Sequence, residues 1–134
     1  MKILLLGSNG VIGNGISLSF KKYKLIKVNS NSYDYNKDKY ILNKFPKCDF
    51  FIHAAGITEE EIKKKGSKKS FKRASKATDK LLSHLAKSGC KNMIYISSLR
   101  LYSEKAITLK EEKTKLQIDD HYKLCHFRTE NIFK

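Results

Sequence analysis

The chain has 134 residues, which is room for one domain of ordinary size and no more. Apolar residues at 40% can support a core, and a net charge of +15 is spread along the whole chain rather than gathered on one element. Without a basic motif interleaved with aromatics, that charge makes no case for nucleic acid as a partner, although it would help to draw in a phosphorylated ligand.

Ile3 to Leu6 is a short apolar run that suits a strand buried on both faces. It ends on Gly7, and two more glycines follow at the same spacing, Gly10 and Gly13. Such a loop between a strand and a helix cradles the diphosphate of a nucleotide. The first glycine permits a sharp turn, the second lets backbone approach the phosphate, and the third lets the helix sit close on the strand. Asn9, Val11 and Ile12 complete the loop, and the helix N-terminus behind them offers unpaired N–H groups to the anion.

Val11 to Tyr23 reads as the first helix, with Ile12, Ile16, Leu18 and Phe20 as its apolar side, and Leu25 to Val28 as a second strand. Asn29 to Asn36 is polar and turn-like, and Tyr40 to Phe45 reads as a short helix stopped by Pro46. Asp49 to His53 is another buried strand, followed by the small-residue turn Ala54-Ala55-Gly56. Glu59 to Lys65 carries Glu-to-Lys pairs four residues apart, the mark of a solvated helix. Ser70 to Ser88 is a long helix with Phe71, Ala74, Ala77, Thr78, Leu81, Leu82 and Leu85 on its core side and Gly89 as its cap. Asn92 to Ser97 is a strand, 99–118 a long polar connection, and Asp119 or Asp120 caps a last helix to Lys134.

Alternating strands and helices imply a parallel sheet with helices on both faces and a ligand at the carboxyl ends of the strands. Cys48, Cys90 and Cys125 are odd in number and far apart, which fits a reducing, cytoplasmic setting rather than a disulfide framework. No apolar run approaches the length of a membrane span, and His121 with His126 makes no zinc signature, so neither membrane nor metal is expected.

Several of these motifs together resemble the N-terminal half of an extended short-chain dehydrogenase/reductase, the NAD-dependent epimerase/dehydratase family. Gly7, Gly10 and Gly13 match its opening Gly-x-x-Gly-x-x-Gly; Asp49 to Gly56 matches its Asp-x-x-x-His-x-Ala-Gly; and Ser97-Ser98 followed by Tyr102 matches its strand ending in Ser-Ser. The resemblance implies a Rossmann-type, doubly wound parallel sheet of three layers, incomplete at the C-terminus. The whole chain, 1–134, would be the cofactor-binding domain and the substrate domain would be missing. It also implies NAD or NADP as cofactor, a nucleotide-sugar substrate and a homodimer as one open arrangement.

By the same resemblance Ser98 and Tyr122 are the catalytic pair, Asp34 lies near the adenine, and His53, Ala54, Ala55 and Gly56 border the cofactor together with Asn29. No carboxylate stands at Asn29-Ser30-Asn31 and Lys27 is close, which tilts the choice towards NADP. The family places a lysine four residues after the tyrosine, and this chain has His126 there; it also has Ala74 where the family commonly has asparagine. A tyrosine with a reference pKa of ~10 is a poor base at neutral pH without a nearby cation. Two readings follow: an epimerase, dehydratase or reductase using His126 as a substitute helper, or a catalytically silent NAD(P)-binding module.

Overall fold

The computed structural model describes residues 1–29, 33–34, 39–40, 46–102 and 114–134, and for 33–34, 39–40, 65, 67 and 82 the backbone alone. Four parallel strands form the sheet: β1 (Lys2–Leu6), β2 (Lys24–Val28), β5 (Phe50–His53) and β6 (Asn92–Tyr95), in the order β2-β1-β5-β6. Two short strands, β3 (Tyr33–Asp34) and β4 (Lys39–Tyr40), pair with each other antiparallel. Tyr40 therefore opens no helix, and 41–45 of that expected helix lie outside the described residues.

Side chains alternate across a strand, and the apolar run of β1 feeds two cores. Leu4, Leu6 and Phe51 point to one face, where α3 (Ser67–Ser88) covers them with Ala74, Ala77, Leu81 and Leu85. The last helix, α4 (His121–Phe133), adds Cys125 to the same core. Ile3, Leu5 and Ile52 point to the other face, where α1 (Val11–Ser19) supplies Ile16. These are three layers, helix on sheet on helix.

The first helix is shorter than its sequence suggests and ends at Ser19, and Ile12 and Leu18 are more than half exposed. Its buried positions are Gly13, where a Cβ would lie 2.1 Å from the Gly7 oxygen of the loop before it, and Ser17, whose hydroxyl donates to the Gly13 carbonyl, with Ile16 packed beside them on the sheet. The helix α2 (Glu59–Lys65) opens with a capping box in which Thr58 and Glu61 satisfy each other's backbone amides. Of its expected pairs, Glu60–Lys64 forms, while Glu59 turns away to Arg100. On the edge strand β6, Met93 and Ile94 remain 39% and 47% exposed. Asp120 caps α4 by accepting from the Lys123 amide at 2.7 Å. Residues 103–113 of the polar connection lie outside those described; before them comes a 3-10 turn, Leu99–Leu101.

Candidate functional site

From β1 the chain runs to β2 on one side and later to β5 on the other. The carboxyl ends of β1 and β5 are thus the point where the winding reverses, and a crevice opens there in sheets of this kind. A groove of about 1080 Å³ occupies it. Its walls are the loop after β1, the segment 54–60 after β5, the segment 96–100 after β6, and Tyr122 and His126 from α4.

The three glycines of the first loop have different reasons to be glycine. Gly7 has a φ of +87°, and a Cβ on it would lie 2.6 Å from the Ala55 nitrogen. A Cβ on Gly13 would lie 2.1 Å from the Gly7 oxygen. Among the described residues a Cβ on Gly10 would meet only the Gly7 oxygen, at an ordinary 3.5 Å, so none of them demands glycine there. Gly10 presents bare backbone to the groove as N-cap of α1, with no side-chain cap and no acidic residue in the first turn. The amides of that first turn have no carbonyl within the helix to bond, and the positive end of the helix faces the groove with them. These features fit the diphosphate of a dinucleotide.

Across the groove stand Ser98 and Tyr122. The Tyr122 hydroxyl donates to Ser98 Oγ at 3.3 Å, over 24 residues of sequence. Ser98 Oγ also accepts from the Arg100 amide at 3.3 Å, where it caps the turn after β6. With two donors on its oxygen, the hydroxyl hydrogen of Ser98 is left to point elsewhere. The Arg100 guanidinium lies over the Tyr122 ring, 5.0 Å from its centre, and is paired with Glu59 and, at 3.9 Å, with Asp120.

His126 is 7% exposed, so it is a buried residue and not one of the helix's wet face. Its Nδ1 is 2.6 Å from the Tyr95 hydroxyl, and its ring lies 4.6 Å from that of Tyr122. Burial pushes the His126 pKa down, against an upward pull from Glu130. Beneath it His53 is fully buried, edge-on to Phe51, Tyr95 and Phe133. Burial, with the nearby His126 adding to it, pushes His53 down to about 3.

Of the residues the sequence singles out, Gly7, Asn9, Gly10, Val11, Ile12, Asn29, Ala54, Ala55, Gly56, Ser98, Tyr122 and His126 all line the groove. Gly13 and His53 do not: both are packed behind the wall that the others form. Asp34 lies in β3 and its side chain is outside those described. Residues the sequence does not single out are Arg100, Tyr95 and the start of α2. Arg100 carries a legible signal, since it stands two residues past Ser98 in the turn leaving a strand's carboxyl end. Tyr95 carries none, because a tyrosine in an edge strand is ordinary. Among the described residues no three His, Cys, Asp or Glu could hold a metal ion, and no helix is long and apolar enough to cross a membrane.

The parallel sheet, its reversal between β1 and β5 and the glycine loop at that point define a Rossmann-type fold. The family model for the NAD dependent epimerase/dehydratase family matches residues 3–134, and the chain belongs to that family. A comparison with curated proteins finds no match. Among solved structures, a UDP-galactose 4-epimerase aligns with a TM-score of 0.80 and 18% identity, over 98% of this chain and 50% of its own. RMD from Pseudomonas aeruginosa, complexed with NADPH, aligns at 0.76 and 20% identity, over 98% and 47%. UDP-glucose 4-epimerase from Bifidobacterium longum, in complex with NAD+ and UDP, aligns at 0.72 and 20% identity, over 98% and 48%. The chain spans about half the length of these structures, and at such identities they share its fold.

Proposed function

We propose that these 134 residues are the dinucleotide-binding unit of an NAD(P)-dependent enzyme that epimerises, dehydrates or reduces a nucleotide sugar. The observation that carries this reading is the Tyr122–Ser98 hydrogen bond of 3.3 Å on the wall facing the glycine loop. The first-turn amides of α1 hold the diphosphate, and the bare Gly10 backbone lets it approach them. Ala54 and Ala55 border the dinucleotide with side chains small enough to let it lie against the ends of β1 and β5. Once bound, the nicotinamide supplies the hydride acceptor or donor. Tyr122 moves the proton of a sugar hydroxyl, and Ser98 bonds the same oxygen as charge develops on it. The Arg100 guanidinium, itself paired with Glu59 and Asp120, lies over the Tyr122 ring and holds the side chain in place against the groove. Dimerisation and a cytoplasmic setting belong to this proposal as well.

Between the two cofactors the wall after β2 favours neither by repulsion. Asn29 lines the groove there and Lys27 is exposed nearby, so NADPH is expected to bind at least as well as NADH. The second reading, a silent NAD(P)-binding module, is supported by His126. This imidazole is buried and held toward its neutral form, so it does not supply a lysine's fixed charge.

Fluorescence titration with NADH and NADPH tests the cofactor site. Turnover of UDP-, dTDP- or GDP-sugars with cofactor separates the enzyme from the silent module, and Tyr122→Phe should abolish that turnover while leaving cofactor binding intact. Cofactor binding with no turnover of any of these sugars would favour the silent module.

A further inference from the structure

Two contacts meet at the His126 ring. On one edge Nδ1 lies 2.6 Å from the Tyr95 hydroxyl, which stands at the last position of β6, paired in register with His53. The opposite edge faces the groove wall, where a Cβ on Gly56 would lie 3.7 Å from Cε1 and 3.8 Å from Nε2. A neutral imidazole has one donor nitrogen and one acceptor nitrogen, so whatever bond is made at Nδ1 decides what Nε2 offers. A phenol is a better donor than acceptor, and an imidazole nitrogen is the stronger acceptor of the two partners. A Tyr95 O–H donating to Nδ1 across this 2.6 Å contact would leave the ring proton on Nε2. Among the described residues, the titratable groups facing the ring are His53 from β5, Tyr95 from β6, and Tyr122 and Glu130 from α4 itself. Glu130 favours a charged ring, and burial outweighs it.

We propose that Tyr95 is a positioning residue that locks His126 in the Nε2–H tautomer, so that the ring presents a neutral hydrogen-bond donor over Gly56 to a hydroxyl oxygen of a bound sugar or ribose. The ligand half of this inference rests on the reading of the groove as a dinucleotide and nucleotide-sugar site; the tautomer half does not. The Tyr95 hydroxyl thereby does for a histidine what no fixed charge in this position does. It sets which nitrogen carries the proton before any ligand arrives.

Long-range proton–nitrogen NMR spectra of the histidine rings in the 15N-labelled chain, assigned with His126→Gln, decide the tautomer. The wild-type chain should show Nε2 protonated and Nδ1 as a bonded lone pair at neutral pH. Tyr95→Phe keeps the ring and its contacts with His53 and Phe133 but removes the hydroxyl, and should convert His126 to a mixture of tautomers. A dominant Nδ1–H form in the wild type, a measurement that needs no variant, overturns the lock, as does an unchanged pattern in Tyr95→Phe. Adding NADH in one arm and UDP-glucose in another should shift the Nε2 resonance with the ligand whose hydroxyl it meets. The affinity for that ligand should fall about twofold in Tyr95→Phe, in proportion to the Nε2–H fraction lost. Both ligands binding with Nε2 unmoved overturns the ligand contact alone. NADH failing to bind at all overturns the dinucleotide reading and the ligand contact together.

Discussion

Acidification from pH 7 to pH 5 should destabilise this chain through His53, a residue that does not line the groove. His53 is fully buried, and its pKa is pushed from 6.5 to about 3. In the folded chain the ring stays neutral through this window, whereas in the unfolded chain it takes up a proton as pH falls through 6.5. The unfolded state then binds more protons, so stability is full above that value and is lost below it. At pH 5 the unfolded group lies 1.5 units below its pKa (6.5 − 5), which at ~1.36 kcal/mol per unit amounts to about 2 kcal/mol. That is a large share of the ~5–15 kcal/mol that ordinarily separates folded from unfolded domains. Asp119, whose pKa is lowered mainly by its hydrogen bond to Lys123, contributes only below its ordinary 3.8 and so does not intrude on the window. Urea unfolding at both pH values would read the effect as a fall in midpoint of about 1 M. His53→Leu keeps an apolar side chain in the site and cannot titrate. Its pH 7 to pH 5 loss should shrink by about 2 kcal/mol, the remainder being due to His126, whose pKa is lowered too. An equal loss in wild type and His53→Leu would refute the argument.

The glycine loop makes a paired prediction: Gly10→Glu should abolish NADH binding in a fluorescence titration with little change in melting. Gly13→Ala, whose Cβ would lie 2.1 Å from the Gly7 oxygen, should instead lower stability by about 3 kcal/mol in a urea melt. Leu81 is fully buried at the centre of α3, and Leu81→Ala should cost about 3 kcal/mol by the same measurement. Asp120→Ala removes the cap of α4 and should cost about 1 kcal/mol, seen as a lower melting temperature by circular dichroism.

The order and type of most elements were legible because they depend on local pattern. The apolar run before Gly7, the left-handed Gly89 after α3 and the Asp120 cap are each a consequence of residues within one or two turns of one another. The same holds for the groove's location, since strand ends in a parallel sheet converge on it. Misreadings came where neighbours in space outweighed neighbours in sequence. Ile12 and Leu18 are apolar, yet Gly13 and Ser17 are the buried positions of α1, Gly13 because the backbone of the Gly7 loop lies against it. Tyr40 pairs with Tyr33 across a short ladder instead of starting a helix.

Short-range spacing was enough to read the glycine loop and the parallel sheet from the chain, and the family resemblance supplied the catalytic candidates Ser98 and Tyr122. The state of those side chains, by contrast, comes from packing in three dimensions. Whether His126 is wet or buried depends on β5 and β6 beneath α4, and whether Tyr122 meets Ser98 depends on how α4 lies across the end of the sheet. The physical reason is that dielectric environment and hydrogen-bond partners are set by residues distant in the chain, and proton affinity follows from both.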